Sequence, residues 1–138
     1  MRFPALTRIA VAAGLTAAGA AAASQSAQDL QSALEVQARQ ASQSFAGFSP
    51  QVGEQFFKST HGNDWSCASC HTADPRNAGK HAKTGKDIAP LAPTANPQRF
   101  TSVEKVEKWF KRNCSDVLGR ACSPEEKGNV LAYLLSLK

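Results

Sequence analysis

The sequence predicts an all-α fold from three features. Residues 101–104 and 123–126 carry helix start signals, and each is followed by an apolar stripe at helical spacing. No segment alternates apolar and polar residues for long enough to predict a strand. The 138 residues, 42% of them hydrophobic and 7% aromatic, allow one domain with a modest core. This size excludes a Rossmann enzyme, a barrel or a two-domain enzyme with a closing cleft.

Residues 1–23 are typical of a secretory signal peptide. Arg2 and Arg8 form a short basic start, and the mostly apolar run of 9–23 ends on small residues at Ala23. A membrane anchor is the alternative, but the run is short and rich in Ala and Gly. Cleavage leaves 115 residues with a net charge of +3 and no second apolar segment. We expect a soluble periplasmic protein, with no membrane contact after cleavage and no nucleic-acid partner.

The mature chain divides into two parts. Residues 24–49 are predicted to be a polar N-terminal extension or helix, and residues 50–138 the folded domain. Four apolar residues of the first part show a weak helical spacing: Ala27, Leu30, Leu34 and Ala38. Residues 51–59 are predicted to be helical. Residues 61–100 show no apolar stripe at helical spacing. A loop of this length without secondary structure is uncommon in a compact domain. We therefore expect a bound cofactor to organise this segment.

Two further helices have distinct start signals. Thr101 and Glu104 match a capping box, and the helix is predicted to run from there to about Asn113. Ser123 is a predicted N-cap with Pro124 at the first helical position. The apolar stripe of this last helix contains Val130, Leu131, Leu134 and Leu137.

The sequence Cys67-Ala68-Ser69-Cys70-His71 matches the covalent attachment motif of c-type haem. Two thiols on one helical turn can add to the two vinyl groups of the porphyrin, and the adjacent His71 can then coordinate the iron. A redox-active dithiol would require a strand-rich context that the sequence lacks. A zinc site would require two more ligands, from His61, His81 or the distant cysteines. The motif therefore predicts one haem c held by Cys67, Cys70 and His71.

Cys114 and Cys122 form the other pair of cysteines. They are eight positions apart in a chain predicted to be exported to an oxidising compartment, so we expect a disulfide. Two buried thiols are the alternative.

The second axial ligand of the iron is not methionine, since the sole methionine is Met1, which leaves with the predicted signal peptide. The candidates are an asparagine, His61, His81, a lysine or no protein ligand. Asn113 projects into the apolar stripe of its helix, where a buried amide needs a partner. The pattern alone fits a distal ligand and a helix C-terminal residue equally well. His61 and His81 each lie ten residues from His71, and a bis-His site with either one remains open.

The chain from Gly53 to the C-terminus resembles the sphaeroides haem protein family of high-spin class I cytochromes c. The matching segments are residues 66–71, 84–93, 99–101, 106–109, 112–114 and 119–122. The resemblance implies a class I cytochrome c-like fold around one covalently bound haem, with Asn113 as the distal iron ligand and a Cys114–Cys122 bridge. It also implies a close crossing of the helix containing Gly53 with the last helix, at Tyr133 or Leu134.

The resemblance further implies a function. An amide oxygen is a hard, weak ligand that suits ferric iron and holds ferrous iron poorly, so reduction is expected to open a distal position. The family binds a diatomic gas, oxygen or nitric oxide, and receives electrons from a dihaem cytochrome c. Whether such a protein also converts the gas as an enzyme is left open. The alternative is a plain six-coordinate bis-His electron carrier.

Basic residues occur in two segments near the predicted haem. If both segments border the haem edge, they predict a surface that attracts an acidic redox partner. The alternative is a solvated surface. The residues are Lys80, Lys83, Lys86, Lys105, Lys108, Lys111 and Arg112.

Overall fold

The computed structural model describes residues 18–138, with side chains from residue 26 onward. This part of the chain contains α1 (Ala18–Ala41), α2 (Pro50–Lys58), α3 (Cys67–His71), β1 (Gly79–Lys80), β2 (Asp87–Ile88), α4 (Val103–Leu118) and α5 (Pro124–Ser136). The predominance of helix confirms the all-α prediction. Within the described residues, no helix combines the length and apolarity needed to cross a membrane.

The polar N-terminal segment forms most of α1 and packs against α5. Ala27, Leu30, Leu34 and Ala38 are buried, and their spacing of three or four places them on one face of the helix. Most of the predicted signal peptide, residues 1–17, lies outside the described residues. The described face begins at Ala27, so cleavage after residue 23 would leave this packing intact.

Helices α2 and α5 cross at a glycine. A Cβ atom on Gly53 would lie 1.9 Å from the backbone oxygen of Asn129 and 3.0 Å from Cβ of Tyr133. The side chain of Asn129 also accepts a 2.7 Å hydrogen bond from the backbone N–H of Ser49, which precedes α2. The expected close crossing is present, and it is the backbone at Asn129, with Tyr133 beside it, that requires glycine.

Helix α4 begins one residue later than the predicted capping box implies. Ser102 is the N-cap, and its side chain accepts a hydrogen bond from the backbone N–H of Lys105. Thr101 lies outside the helix, and its hydroxyl donates to the carbonyl of Gln98. The hydroxyl of either Thr101 or Ser102 could cap the helix. Because the Thr101 hydroxyl is bonded to Gln98, Ser102 is the N-cap.

The C-terminal end of α4 differs from the prediction. The helix continues beyond Asn113 to Leu118 and ends where Gly119 adopts a left-handed conformation, with φ of 68°. The Gly119 N–H donates to the carbonyl of Ser115, which satisfies one of the last free carbonyls. Asn113 is therefore an interior residue of the helix, and the interpretation of it as a helix C-terminal residue is wrong.

The last helix begins as predicted. Ser123 is the N-cap, Glu126 completes a capping box, and Pro124 occupies the first turn. The Glu126 carboxylate also accepts hydrogen bonds from both terminal nitrogens of Arg120. Because α5 is buried along most of its length, its start must be fixed for its side chains to meet both α1 and α2.

The long segment between α3 and α4 contains a short antiparallel ladder that the sequence did not predict. Gly79 pairs with Ile88 and Lys80 with Asp87. Strands of two residues are too short to show an alternating pattern. The carbonyl of Pro75, further back in the segment, accepts hydrogen bonds from the N–H groups of Leu91 and Ala92. The chain's own backbone contacts thus supply part of the order expected from a cofactor.

The predicted disulfide between Cys114 and Cys122 is confirmed, with the two Cα atoms 5.6 Å apart. It joins the last third of α4 to the residue that precedes the N-cap of α5. Both cysteines are buried, so the cross-link lies within the packed part of the domain.

Replacing Gly53 with alanine is expected to destabilise the protein. Alanine favours a helix by about 1 kcal/mol, but its Cβ would overlap the Asn129 backbone, and overpacking costs about 1–3 kcal/mol. We expect the Gly53→Ala substitution to lower the free energy of unfolding by about 2 kcal/mol in urea denaturation. Gln55→Ala, at an exposed position on the same helix, should change it by less than about 0.5 kcal/mol. A Gly53→Ala variant as stable as wild type would contradict the close crossing.

Removing the disulfide with the Cys114→Ser/Cys122→Ser pair is expected to lower the free energy of unfolding by about 2.5 kcal/mol, because the denatured chain loses the closure of a nine-residue loop. Denaturation of the oxidised wild type and the double variant measures this difference. In the presence of a thiol reductant, the wild type and the variant should become equally stable, because the reductant opens the disulfide of the wild type. Equal stability of the two proteins without reductant would show that the cross-link contributes nothing.

Candidate functional site

The Cys67–His71 motif forms a single helical turn, α3, whose start is fixed by two serines. The Ser66 hydroxyl accepts from the Ser69 N–H at 3.2 Å, and the Ser69 hydroxyl accepts from the Ser66 N–H at 3.0 Å. Both Cys67 and Cys70 are free thiols. The sulfur of Cys70 accepts a hydrogen bond from the N–H of Ala82 at 3.2 Å. The turn therefore holds two cysteines outside the disulfide and an imidazole within five residues.

Burial determines the protonation of this turn. It raises the pKa of the Cys67 thiol to about 11, so the group is neutral at pH 7. Burial and, to a lesser extent, the positive charge of Arg99 lower the pKa of His71 to about 4. The imidazole is therefore neutral, which is the form that coordinates a metal.

The ring of His71 has an unsatisfied nitrogen. Among the buried side-chain nitrogen and oxygen atoms of residues 26–138, its Nδ1 is the one atom without a hydrogen-bond partner. The Phe57 ring lies 6.4 Å from the imidazole and 5.6 Å from the ring of Tyr133, between centroids. The α2–α5 crossing therefore supports the imidazole. No protein group holds the ring in the described residues, and its less hindered nitrogen, Nε2, is the one that would bind a haem iron.

Arg99 is a site residue to which sequence analysis assigned no role. Its guanidinium donates to the carbonyl of Pro90 at 2.8 Å and to that of Ala89 at 2.5 Å. Burial lowers its pKa, and no carboxylate lies within ion-pair distance of it in the described residues. The signal was present in the sequence, since Arg99 is the sole charged residue of 88–103.

The arrangement fits haem. A half-buried cation near a neutral imidazole needs a counter-charge, and haem carries two carboxylates. The thiols of the adjacent turn match the attachment chemistry. Cys67, Cys70, His71 and Arg99 thus offer two thiols, an imidazole nitrogen and a cation, which fit the vinyl groups, the iron and the carboxylates of haem.

Asn113 is half-buried on α4, and its side-chain amide has no hydrogen-bond partner among residues 26–138. Phe110 and Val106, one and two turns before it, pack against the hydrophobic core. Cys67 and Ala68 pack against that same core. The apolar side of α4 and the cysteine-containing turn therefore border one core.

The two other histidines have protein partners. Nε2 of His61 is 2.9 Å from the carbonyl oxygen of Phe56, and the two rings are 4.3 Å apart. Nδ1 of His81 accepts hydrogen bonds from the backbone N–H groups of Lys83 and Thr84. Both imidazoles thus stabilise local turns.

The second cysteine pair and two of the predicted surface lysines also have partners within the protein. Cys114 and Cys122 are joined to each other, and the part of the chain that the structure describes contains no cluster of three or more His, Cys, Asp and Glu side chains that could hold a metal ion. Lys80 lies 3.8 Å from Asp87, and the ammonium of Lys83 lies 6.0 Å from the centre of the Trp65 ring. Two of the three lysines of the long loop therefore have local partners.

Comparison with known proteins identifies the family. Residues 43–134 match the family described as "Domain of unknown function (DUF1924)". Cytochrome c'' of Methylophilus methylotrophus is 54% identical over 80 residues, which are 58% of this chain and 56% of that protein. The cytochrome c-type protein SHP of Cereibacter sphaeroides is 56% identical over 69 residues, which are 50% of this chain and 53% of that protein. The chain thus spans about half the length of these curated relatives.

Solved structures are similar over a longer stretch. Oxidized cytochrome c'' from Methylophilus methylotrophus has a TM-score of 0.73 and 42% identity, covering 83% of this chain and 96% of that one. Oxidized SHP, an oxygen-binding cytochrome c, has a TM-score of 0.71 and 42% identity, covering 80% of this chain and 96% of that one. The chain therefore belongs to the DUF1924 family and to the sphaeroides haem protein family of class I c-type cytochromes, which carry a single haem c.

Proposed function

We propose that this protein is a periplasmic cytochrome that transfers electrons and binds a diatomic gas, oxygen or nitric oxide, at a position that Asn113 vacates when the iron is reduced. Two relatives support this function. SHP is described as an oxygen-binding cytochrome c. The solution structure of Methylophilus methylotrophus cytochrome c'' is described as giving insight into haem-ligand detachment in that protein.

Three residues of one helical turn are proposed to hold the cofactor. Cys67 and Cys70 form the thioether bonds, and His71 is the proximal ligand, supported by the ring of Phe57. Arg99 faces a haem carboxylate. When bound, the haem supplies an iron that changes between ferric and ferrous states and binds gases in the ferrous state at an open position.

The half-buried, unpartnered amide of Asn113 is the observation that carries the proposal. No protein group holds this amide among residues 26–138, so its oxygen is available to bind another group. The left-handed turn at Gly119 ends α4 five residues beyond Asn113, and the disulfide of Cys114 fixes the adjacent backbone. The helix therefore presents Asn113 from a rigid position.

The chemistry of an amide explains why this ligand would be redox-labile. Its oxygen is neutral and hard, so its bond depends on the charge of the metal and weakens when ferric iron becomes ferrous. Imidazole nitrogen and thioether sulfur bind ferrous iron well. The local hydrogen bonds of His61 and His81 favour Asn113 over the bis-His alternative.

Location and partners belong to the same proposal. The sequence of residues 1–23 and the disulfide fit export to an oxidising compartment. A dihaem cytochrome c is the proposed electron donor. Conversion of the bound gas would require further electrons from that donor.

Replacing Asn113 with alanine is expected to change the ferric visible spectrum and retain the covalent haem, because only the distal ligand is lost. The ferric iron should become five-coordinate or water-ligated. Asn77→Ala, a substitution at an exposed asparagine, is the matched control and should keep the wild-type spectrum. An unchanged spectrum in Asn113→Ala would show that another residue is the ligand.

The reduced protein is expected to bind carbon monoxide at a rate proportional to gas concentration, since no strong protein ligand competes. Flash photolysis or stopped-flow mixing measures this rate. Asn113→Ala should bind the gas at a similar rate once reduced. A rate that reaches a plateau with gas concentration would indicate slow dissociation of a protein ligand and favour the bis-His alternative.

A further inference from the structure

Four residues of α4 form one exposed face. Lys105, Lys108, Trp109 and Arg112 follow the spacing i, i+3, i+4 and i+7, which brings side chains together along one side of a helix. All four are exposed. We call these four residues the Trp109 face.

Trp109 is exposed although it adjoins the apolar stripe of α4. Its side chain is 52% exposed, whereas Val106 and Phe110 pack against the core. The Arg112 guanidinium lies over the indole, 5.2 Å from the ring centre. The cation therefore holds the aromatic ring at the surface, in an arrangement that is common in protein interfaces, where Trp and Arg are enriched.

The cations of the Trp109 face are not held in ion pairs, although the exposed Asp116 lies one turn beyond Arg112 on the same side of α4. In the described part of the chain, no carboxylate lies within ion-pair distance of Lys105, Lys108 or Arg112. Glu107, on another side of the helix, is bound instead to Lys127 of α5 at 2.6 Å. Three cations around one indole therefore present a positive rim with an apolar centre.

The position of this face relates it to the haem site. Asn113 follows Arg112 directly and lies one turn beyond Trp109, so the face adjoins the side of α4 that carries the proposed ligand. A partner bound there would lie close to the distal edge of the cofactor. The basic loop also lies near the haem-attachment turn, but its Lys80 and Lys83 have local partners, whereas the cations of the Trp109 face form no ion pair in the described residues.

We propose that the Trp109 face is the docking site for an acidic redox protein that supplies electrons to this cytochrome. The proposal rests on the function proposed above. Each encounter transfers one electron: the reduced centre of the partner is oxidised by one electron, and the ferric haem becomes ferrous. The cations attract the acidic partner, and the indole provides a rigid apolar contact at the centre.

Stopped-flow reduction of the ferric holoprotein by flavodoxin hydroquinone, an acidic one-electron donor, tests the proposal. The second-order rate of the wild type should fall steeply as salt rises, since steering is screened within about 10 Å at 0.1 M ionic strength. Lys105→Gln/Lys108→Gln should lower the low-salt rate by about threefold to tenfold and flatten the salt dependence. Trp109→Ala should lower the rate by about fivefold with the salt dependence retained.

Lys111→Gln is the matched control. Lys111 is an exposed lysine of the same helix, and at about 100° per residue it points away from Trp109. The rate at which flavodoxin reduces the Lys111→Gln variant should lie within about twofold of the wild-type rate. Reduction by photoreduced lumiflavin, a small neutral donor, should be equal in all variants and so exclude a change in the haem itself.

Equal flavodoxin rates in the Trp109→Ala, Lys105→Gln/Lys108→Gln and Lys111→Gln variants would overturn the proposal. So would binding to vesicles of phosphatidylglycerol and phosphatidylcholine that Trp109→Ala abolishes without changing the flavodoxin rate, because that result assigns the face to a membrane surface. Failure here is distinguishable from failure of the proposed function, since the ferric spectrum of Asn113→Ala does not depend on a protein partner.

Discussion

The contact between Gly53 and the backbone of Asn129 is the constraint on which the rest of the domain depends. It allows α2 and α5 to approach more closely than any side chain would permit. Phe57, one turn along α2, then meets both Tyr133 and His71. The position of the His71 imidazole is therefore set by a helix crossing more than a dozen residues away from it in sequence.

The site next to this crossing combines groups that are unfavourable on their own. Within the described residues, His71 has a buried nitrogen without a partner, and the half-buried Arg99 has no carboxylate within ion-pair distance. In the proposed site the imidazole would bind the haem iron, and the guanidinium would lie near a haem carboxylate. Haem held in this way would stabilise the fold as well as supply its redox chemistry.

Different sides of helix α4 make different contacts with the rest of the domain. Val106 and Phe110 pack inward, Glu107 binds Lys127 of α5, and Cys114 is cross-linked to Cys122. These anchors fix the orientation of the helix on three sides. Asn113 and the Trp109 face are held by the same anchors, so the proposed gas-binding position and the proposed docking site have a common rigid support.

The sequence alone determined the features that are local. The haem motif is contiguous in residues 67–71, the start of α5 is encoded by Ser123 and Pro124, and the absence of a second methionine excludes the usual distal ligand. The tertiary structure decided the rest. Thr101 and Ser102 are equivalent caps until the preceding turn selects one, and the polar residues after Asn113 conceal the continuation of α4 to Gly119. The weak stripe of α1 becomes a buried face only because α5 covers it. A role for Arg99 could not be predicted from the sequence. It depends on the distance between its guanidinium and the carboxylates of other residues, which sequence order does not give.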